Sequence, residues 1–104
     1  MKVDNQNRIT IPIGMRKMNP NGGEVNVYLL GDWENNSDKV HVLISSKEHE
    51  EYAYIGKRNL DPKGRMSITL VFDFICDRDS KPQDYDVLIY MQNGEVYLLC
   101  KRQR

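Results

Sequence analysis

The chain has 104 residues, of which 39% are hydrophobic and 29% are charged, and its formal net charge is zero. This length supports one domain, and the composition is typical of a small globular protein rather than a disordered chain. No apolar run approaches the length that crosses a bilayer, and Met1 to Asn5 begin no apolar stretch. We therefore expect neither a membrane span nor a signal peptide.

The first half of the chain is predicted to form a strand, a short helix and two further strands. Ile9 and Ile11 alternate with polar residues, as on a strand with one buried face. Pro12 suits the first position of a helical turn. The predicted elements are a strand from Arg8, a helical turn over 13–18, and strands over 24–30 and 39–45.

The second half repeats this order. Ser45 to Glu48 resembles a capping box and predicts a short connecting helix over 46–51. Thr69 is expected to cap the next helix, and Asn93-Gly94 is a strong signal for a two-residue hairpin turn. The predicted elements are strands over 52–55 and from Arg65, a helix over 70–76, and strands over 85–91 and 95–100.

The turns before the two arginines correspond closely. Asp4 to Asp61 and Arg8 to Arg65 are both separated by 57 residues (61 − 4 and 65 − 8). Asp61 can accept backbone N–H bonds, and Gly64 can adopt the left-handed conformation that closes a three-residue loop. Asn7 occupies the equivalent position in the first turn, and asparagine is the non-glycine residue that best tolerates a positive φ. We interpret 1–45 and 52–104 as two repeats within a single domain, 1–104.

Each arginine is followed by a hydroxyl residue on the same face of its strand. Arg8 and Thr10 point away from Ile9, and Arg65 and Ser67 point away from Met66. A guanidinium group binds phosphate or guanine through two parallel hydrogen bonds. The simpler interpretation of either arginine alone is that it is a solvated charge that follows a hairpin turn. Although the net charge is zero, basic residues gather near the turns, which permits one basic face.

Asp4-Asn5-Gln6-Asn7-Arg8-Ile9-Thr10-Ile11-Pro12 and Asp61-Pro62-Lys63-Gly64-Arg65-Met66-Ser67-Ile68 resemble the signature of the AbrB/MazE/MraZ swapped-hairpin DNA-binding family. The first copy departs from that signature at Asn7, where glycine is expected, and the second at Thr69, where proline is expected. The resemblance covers nearly the whole chain. It implies a mainly β, double-split barrel, built from two interlocking strand-helix-strand-strand repeats with short helices.

The resemblance also implies a bacterial transcriptional regulator that binds duplex DNA, in a cytoplasmic, nucleoid-associated setting. The turn arginines of the family correspond to Arg8 and Arg65. We expect Lys63, Thr10, Ser67 and Lys57 to position the phosphates, and the DNA-binding set is completed by Arg58 and Arg16. Further pairing of the chain into a homo-oligomer is open.

The alternative function is a protein-interaction module, antitoxin-like or structural, on the same barrel with degenerate DNA contacts. Trp33, Tyr52 and Tyr54 would then supply aromatic contacts to a protein partner. The alternative role for Tyr52 and Tyr54 is as half-buried strand residues, with Trp33 covering one end of the barrel.

An enzyme is the least favoured class. His41 and His49 are far apart, and no phosphate-binding glycine loop or nucleophile elbow occurs. We therefore expect no catalytic residue, no metal site and no cofactor. Cys76 and Cys100 form no C-x-x-C pair and are best explained as small core residues in a reduced protein, with a disulfide as the alternative.

Overall fold

The computed structural model describes residues 3–16, 22–31, 33, 38–75 and 81–103. Those residues form seven strands and one α-helix: β1 (Arg8–Thr10), β2 (Gly23–Leu30), β3 (Lys39–Ser45), β4 (Ala53–Leu60), β5 (Arg65–Ser67), α1 (Thr69–Ile75), β6 (Tyr85–Gln92) and β7 (Glu95–Arg102). Two short 3₁₀ turns are present, Ile13–Met15 and Pro82–Asp84. The strands predicted over 24–30, 39–45, 85–91 and 95–100 are confirmed to within two residues at each end.

The strands pair into two antiparallel sheets. The larger sheet has five strands in the order β4-β2-β3-β7-β6, and β1 and β5 form a separate two-stranded ribbon. The mainly β fold that we predicted is therefore confirmed. Because these pairings define two separate sheets, a closed barrel is not shown and the double-split arrangement stays a prediction.

The two halves of the chain are joined at three strand pairs. β4 follows residue 51 in sequence but pairs with β2, β3 pairs with β7, and β1 pairs with β5. β1, β2 and β3 of the first half correspond to β5, β6 and β7 of the second half. When each strand is replaced by its counterpart, the order β2-β3-β7-β6 becomes β6-β7-β3-β2, which is the same order read from the other edge. Four strands of the larger sheet, β2, β3, β7 and β6, therefore have a pseudo-twofold arrangement centred between β3 and β7.

The main core includes the inner face of the ribbon, the inner face of the larger sheet and α1. Ile9 and Met66 are buried on the ribbon, and Val71, Phe72 and Ile75 are buried on the helix. Facing side chains of the sheet are buried as the alternation of each strand predicts: Val25, Val27, Leu29, Val40, Val42, Ile44, Val87, Val96 and Leu98. Cys100 is also buried in this core, whereas Cys76 lies outside the described residues.

The opposite face of the larger sheet is partly covered as well, which the simple alternation did not predict. Tyr28, which alternates with the core-facing Val27 and Leu29, is only 2% exposed, and Leu43 on the neighbouring strand is fully buried. Tyr28 makes ring contacts with His49, Tyr52 and Tyr54. The segment between β3 and β4 therefore folds back over this face and buries it. Trp33 is partly buried against the main core, edge-on to Phe74.

The connecting helix predicted over 46–51 is wrong. This segment contains turns and bends. Ser45 Oγ accepts the Lys47 N–H at 3.0 Å, as the side chain of an N-cap residue would. The His49 N–H, which an α-helix would direct to the Ser45 carbonyl, is instead donated to Tyr28 Oη at 3.0 Å, so the helix does not continue past the cap.

Three further boundaries differ from the prediction. β4 extends to Leu60, well beyond the predicted 52–55, because it pairs with β2 along its length, with a bulge at Ile55. α1 begins at Thr69, which is therefore not an N-cap outside the helix; the Phe72 N–H bonds to the Ile68 carbonyl. The helical turn predicted over 13–18 is a 3₁₀ turn over Ile13–Met15. Residues 17 and 18 lie outside the described residues, as does Cys76 in the helix predicted over 70–76. No helix in the described ranges is long and apolar enough to cross a membrane.

Leu98 and Leu88 form a matched pair for testing the core. Leu98 is fully buried on β7, whereas Leu88 on β6 is 58% exposed. We expect Leu98→Ala to lower the free energy of unfolding by about 2–5 kcal/mol, because it removes buried hydrocarbon and leaves a cavity. Leu88→Ala should change it by less than about 0.5 kcal/mol. Chemical denaturation monitored by circular dichroism measures both, and equal effects would contradict the described core.

Candidate functional site

One aspartate organises each of the two turns. Asp4 Oδ1 accepts the backbone N–H of Gln6 at 2.9 Å and that of Arg8 at 2.8 Å. Asp61 Oδ1 accepts the two equivalent N–H groups of the second turn at 2.9 and 2.8 Å. Because the same bonds recur 57 residues apart, the two turns hold their arginines with the same local geometry.

The last residue of each turn has a positive φ, as the sequence predicts. φ is 59° at Asn7 and 85° at Gly64, and each donates its N–H to the carbonyl of the aspartate three residues earlier. Gly64 is also closely surrounded. A Cβ there would lie 2.5 Å from the Ile11 carbonyl oxygen and 2.8 Å from the Arg16 guanidinium carbon. The second turn therefore requires glycine for its space as well as for its backbone angle.

The same aspartates also hold the arginine side chains. Arg8 Nε donates to Asp4 Oδ2 at 3.1 Å, and Arg65 Nε donates to Asp61 Oδ2 at 2.8 Å. About a third of each arginine side chain is exposed, and the terminal NH₂ groups make no hydrogen bond to any described residue. The backbone N–H groups of the two arginines, more than their guanidinium groups, lower the pKa of both aspartates. The carboxylates are thus charged over the whole neutral range.

The ribbon brings both arginines onto one surface. Arg8 lies opposite Ser67, and Thr10 lies opposite Arg65, so exchanging the strands maps this set onto itself. The four side chains share the face of the ribbon opposite to buried Ile9 and Met66, and we call them the arginine face. Arg8 and Arg65 are diagonal neighbours across the two strands, and the Cα atoms of such neighbours lie about 7–8 Å apart.

Two backbone hydrogen bonds extend the ribbon symmetrically at its ends. The Ile11 N–H donates to the Gly64 carbonyl at 2.8 Å, and the Ile68 N–H donates to the Asn7 carbonyl at 2.9 Å. Each bond joins one turn to the strand of the other half. The orientation of each turn is therefore fixed by the opposite half of the chain.

The remaining predicted site residues are placed differently. Lys63 is exposed in the second turn, beside the arginine face. Lys57 and Arg58 lie on β4 in the larger sheet, where Lys57 pairs with Glu24 at 3.2 Å. Arg16 is buried, at 7% exposure, so we leave it out of the surface set. Ser67 is on the face, but its hydroxyl also donates to Thr69 Oγ1 at 3.2 Å.

Each turn is also braced by a side chain that sequence reasoning assigned no such role. Arg16 Nη1 donates to the Pro62 carbonyl of the second turn at 3.0 Å. Gln83 Nε2 donates to the Asp4 carbonyl at 3.2 Å and to Asn7 Oδ1 at 2.7 Å in the first turn. The Asp-Arg spacing of four residues in both copies could have predicted the aspartate–arginine pairs. No comparable sequence signal identifies Gln83.

A second polar cluster lies on the opposite face of the larger sheet. His49 Nδ1 is 3.1 Å from Glu51 Oε1, and His49 Nε2 is 3.0 Å from Glu95 Oε2. Ser45 Oγ donates to Glu95 and lies 3.3 Å from His49 Nε2. Hydrogen bonds to Glu51 and to Glu95 raise the pKa of His49 above its ordinary 6.5. Because Ser45 is buried and its proton goes to Glu95, its hydroxyl is not set up as a nucleophile.

Comparison of the chain with protein-family models, with curated proteins and with solved structures found no match. The described ranges contain no group of three or more His, Cys, Asp or Glu side chains that could hold a metal ion. What the arginine face offers is two oriented guanidinium groups, which suit an anionic or hydrogen-bond-accepting partner.

The crowding at Gly64 can be separated from its backbone angle by comparison with Gly94. Both have a φ near +80°, but a Cβ on Gly94 would meet nothing within 4 Å. We expect Gly94→Ala to cost about 1–2 kcal/mol of stability, from the left-handed conformation alone. Gly64→Ala should cost about 1–3 kcal/mol more, because the ribbon must also move. Equal losses in urea denaturation would show that the second turn has room for a side chain.

His49 should make the stability depend on pH. Its pKa is raised in the folded protein, so its contribution is fully present below the unfolded value of 6.5 and is lost as the pH rises through the folded pKa. We expect the free energy of unfolding of the wild type, minus that of His49→Gln, to fall as the pH rises above about 6.5. A series of urea denaturations measures this difference. A difference independent of pH would contradict the pairing with the two glutamates.

Proposed function

We propose that the chain is a transcriptional regulator that binds duplex DNA through its arginine face. One observation carries the proposal, namely the pairing of Arg8 with Ser67 and of Thr10 with Arg65 on one ribbon. This pairing gives two equivalent arginines related by a pseudo-twofold axis. Duplex DNA has local twofold symmetry in its backbone, so both arginines can meet equivalent sites.

The shape of the ribbon suits the major groove. That groove admits a two-stranded β-ribbon, and guanine offers two acceptors there to one guanidinium group. Because Asp4 and Asp61 each hold an arginine by its Nε, the NH₂ groups remain available for paired hydrogen bonds to a partner. The arginines are thus pre-oriented, which lowers the entropy lost on binding.

The neighbouring groups have supporting roles in the proposal. Thr10 is exposed between the arginines, and Lys63 lies beside them in the second turn, so both could position phosphates. Lys57 and Arg58 would act only where the DNA also passes the β4 edge. We propose further that the two sheets correspond to a double-split barrel, the arrangement that the resemblance to the AbrB/MazE/MraZ family implies. The interlaced strand pairs β1–β5 and β2–β4 support it.

A second candidate is a protein-interaction module. The observation that favours it is charge balance, because each arginine of the face is already paired with an aspartate. Those two carboxylates would lie near DNA phosphates and oppose binding, whereas a protein partner with mixed charges would tolerate them. A partner that co-purifies in equal amounts, together with no enrichment from a pool of random duplexes, would favour this candidate.

Selection of bound sequences from a random duplex pool, followed by gel-shift assays, tests DNA binding. We expect the selected site to be a pseudo-palindrome. Arg8→Ala and Arg65→Ala should each cost about 1–3 kcal/mol, or about 5- to 150-fold in affinity, and should relax sequence preference at symmetry-related positions. Unchanged affinity in the double variant would overturn the proposal.

Two lysines provide the controls. Lys63→Ala should weaken binding to all sequences alike and lower the slope of log affinity against log salt by about one unit, because a phosphate contact is lost. Lys101→Ala changes an exposed lysine on β7, in the other sheet, and should leave affinity and slope unchanged. Amide NMR spectra of all variants verify that the fold is kept.

A further inference from the structure

A cavity of about 270 Å³ lies beside the second turn, apart from the arginine face. Its size is close to the lower end of pockets that hold small organic ligands. Its walls are largely apolar, and the apolar side chains that form them are Ile11, Met15, Val25, Ile44, Leu60 and Val96. A hydrocarbon group of modest size could therefore bury its surface here.

Arg16 also lines this cavity, and its charge is not balanced within the described residues. The side chain is 7% exposed and donates one hydrogen bond, from Nη1 to the Pro62 carbonyl, out of the five it can make. Its Nε is buried and has no hydrogen-bond partner among those residues. A buried charge normally has a counter-ion, because its desolvation is costly.

The other charged groups at the cavity do not supply that counter-ion. Glu95 lines it too, but forms no ion pair with Arg16 and is engaged by Ser45 and His49. Lys47 adds a second cation at the rim. The charged lining residues are two cations, Arg16 and Lys47, and one carboxylate, Glu95, so a single negative charge would balance them, whereas a dianion such as a phosphate monoester would leave an excess of negative charge.

We propose that this cavity binds a small amphiphilic carboxylate. Its carboxylate would pair with the Arg16 guanidinium through two hydrogen bonds, and its hydrocarbon part would lie against the apolar walls. Because Arg16 also holds the Pro62 carbonyl, a bound ligand acts on the second turn and not on the first. The site stands on the cavity and on Arg16, independently of whether the protein binds DNA.

The test uses two probes, hexanoate and 3-phenylpropanoate, each compared with its neutral amide. In amide NMR titrations of the wild type, we expect saturable shifts with a Kd in the millimolar range for at least one carboxylate. The shifts should appear at Val25, Ile44 and Val96, and at Gly64 in the second turn, but not at Gln6 in the first. The neutral amides should bind at least about tenfold more weakly.

Arg16→Gln should weaken the carboxylate by at least about tenfold while leaving the affinity of its amide unchanged. The matched variant Lys101→Gln removes an exposed cation that does not line the cavity and should change the carboxylate affinity by less than about threefold. Equal binding of acid and amide to the wild type, shifts that map outside the cavity, or no saturable shift with either acid would overturn the proposal. The comparison of acid with amide decides the question even where Arg16→Gln does not fold.

Discussion

The pairing of β1 with β5 is the constraint on which the rest of the structure depends. Each strand has only three residues, and each comes from a different half of the chain. Their pairing closes one edge of the core by burying Ile9 and Met66, and it sets the two turns in symmetric positions. A shift of one residue would reverse the faces of one strand, turning its isoleucine or methionine outward and an arginine inward. The burial of the core and the exposure of the arginines are therefore fixed by the same register.

Both halves need a residue with a positive φ at the end of the turn, and they supply it with different residues. The first turn uses Asn7, whose side chain is also an acceptor for Gln83, while the second uses Gly64, against which Arg16 packs. The Asn7 side chain supplies the acceptor for Gln83, and the absence of a side chain at Gly64 leaves space for the Arg16 guanidinium group. The difference between Asn7 and Gly64 thus follows from what each turn packs against, and the symmetry is one of backbone rather than of side chains.

Local patterns predicted most of the strands and both turns, because alternation and turn chemistry act over a few residues. Val40, Val42 and Ile44 are buried as the period of two requires, and Asn93 and Gly94 both have the positive φ of a two-residue hairpin. The failures involve contacts across the chain. The helix predicted over 46–51 is absent because Tyr28, more than twenty positions away, accepts an N–H from that segment. Arg16 was assigned to the surface because nothing in its neighbourhood indicates burial against Gly64.

The contacts that each turn makes with the other half of the chain differ in how strongly they restrain its arginine. Each turn is braced from the other half, the first by the amide of exposed Gln83 and the second by the guanidinium group of buried Arg16. An exposed amide competes with water and restrains little, whereas a guanidinium group that is only 7% exposed meets little competition from solvent for its bond. We therefore expect the second turn, with its fixed glycine, to be the more rigid of the two. The pseudo-twofold surface would then combine one arginine on a tightly held turn with one on a turn that adjusts more easily, although their local hydrogen bonds are the same.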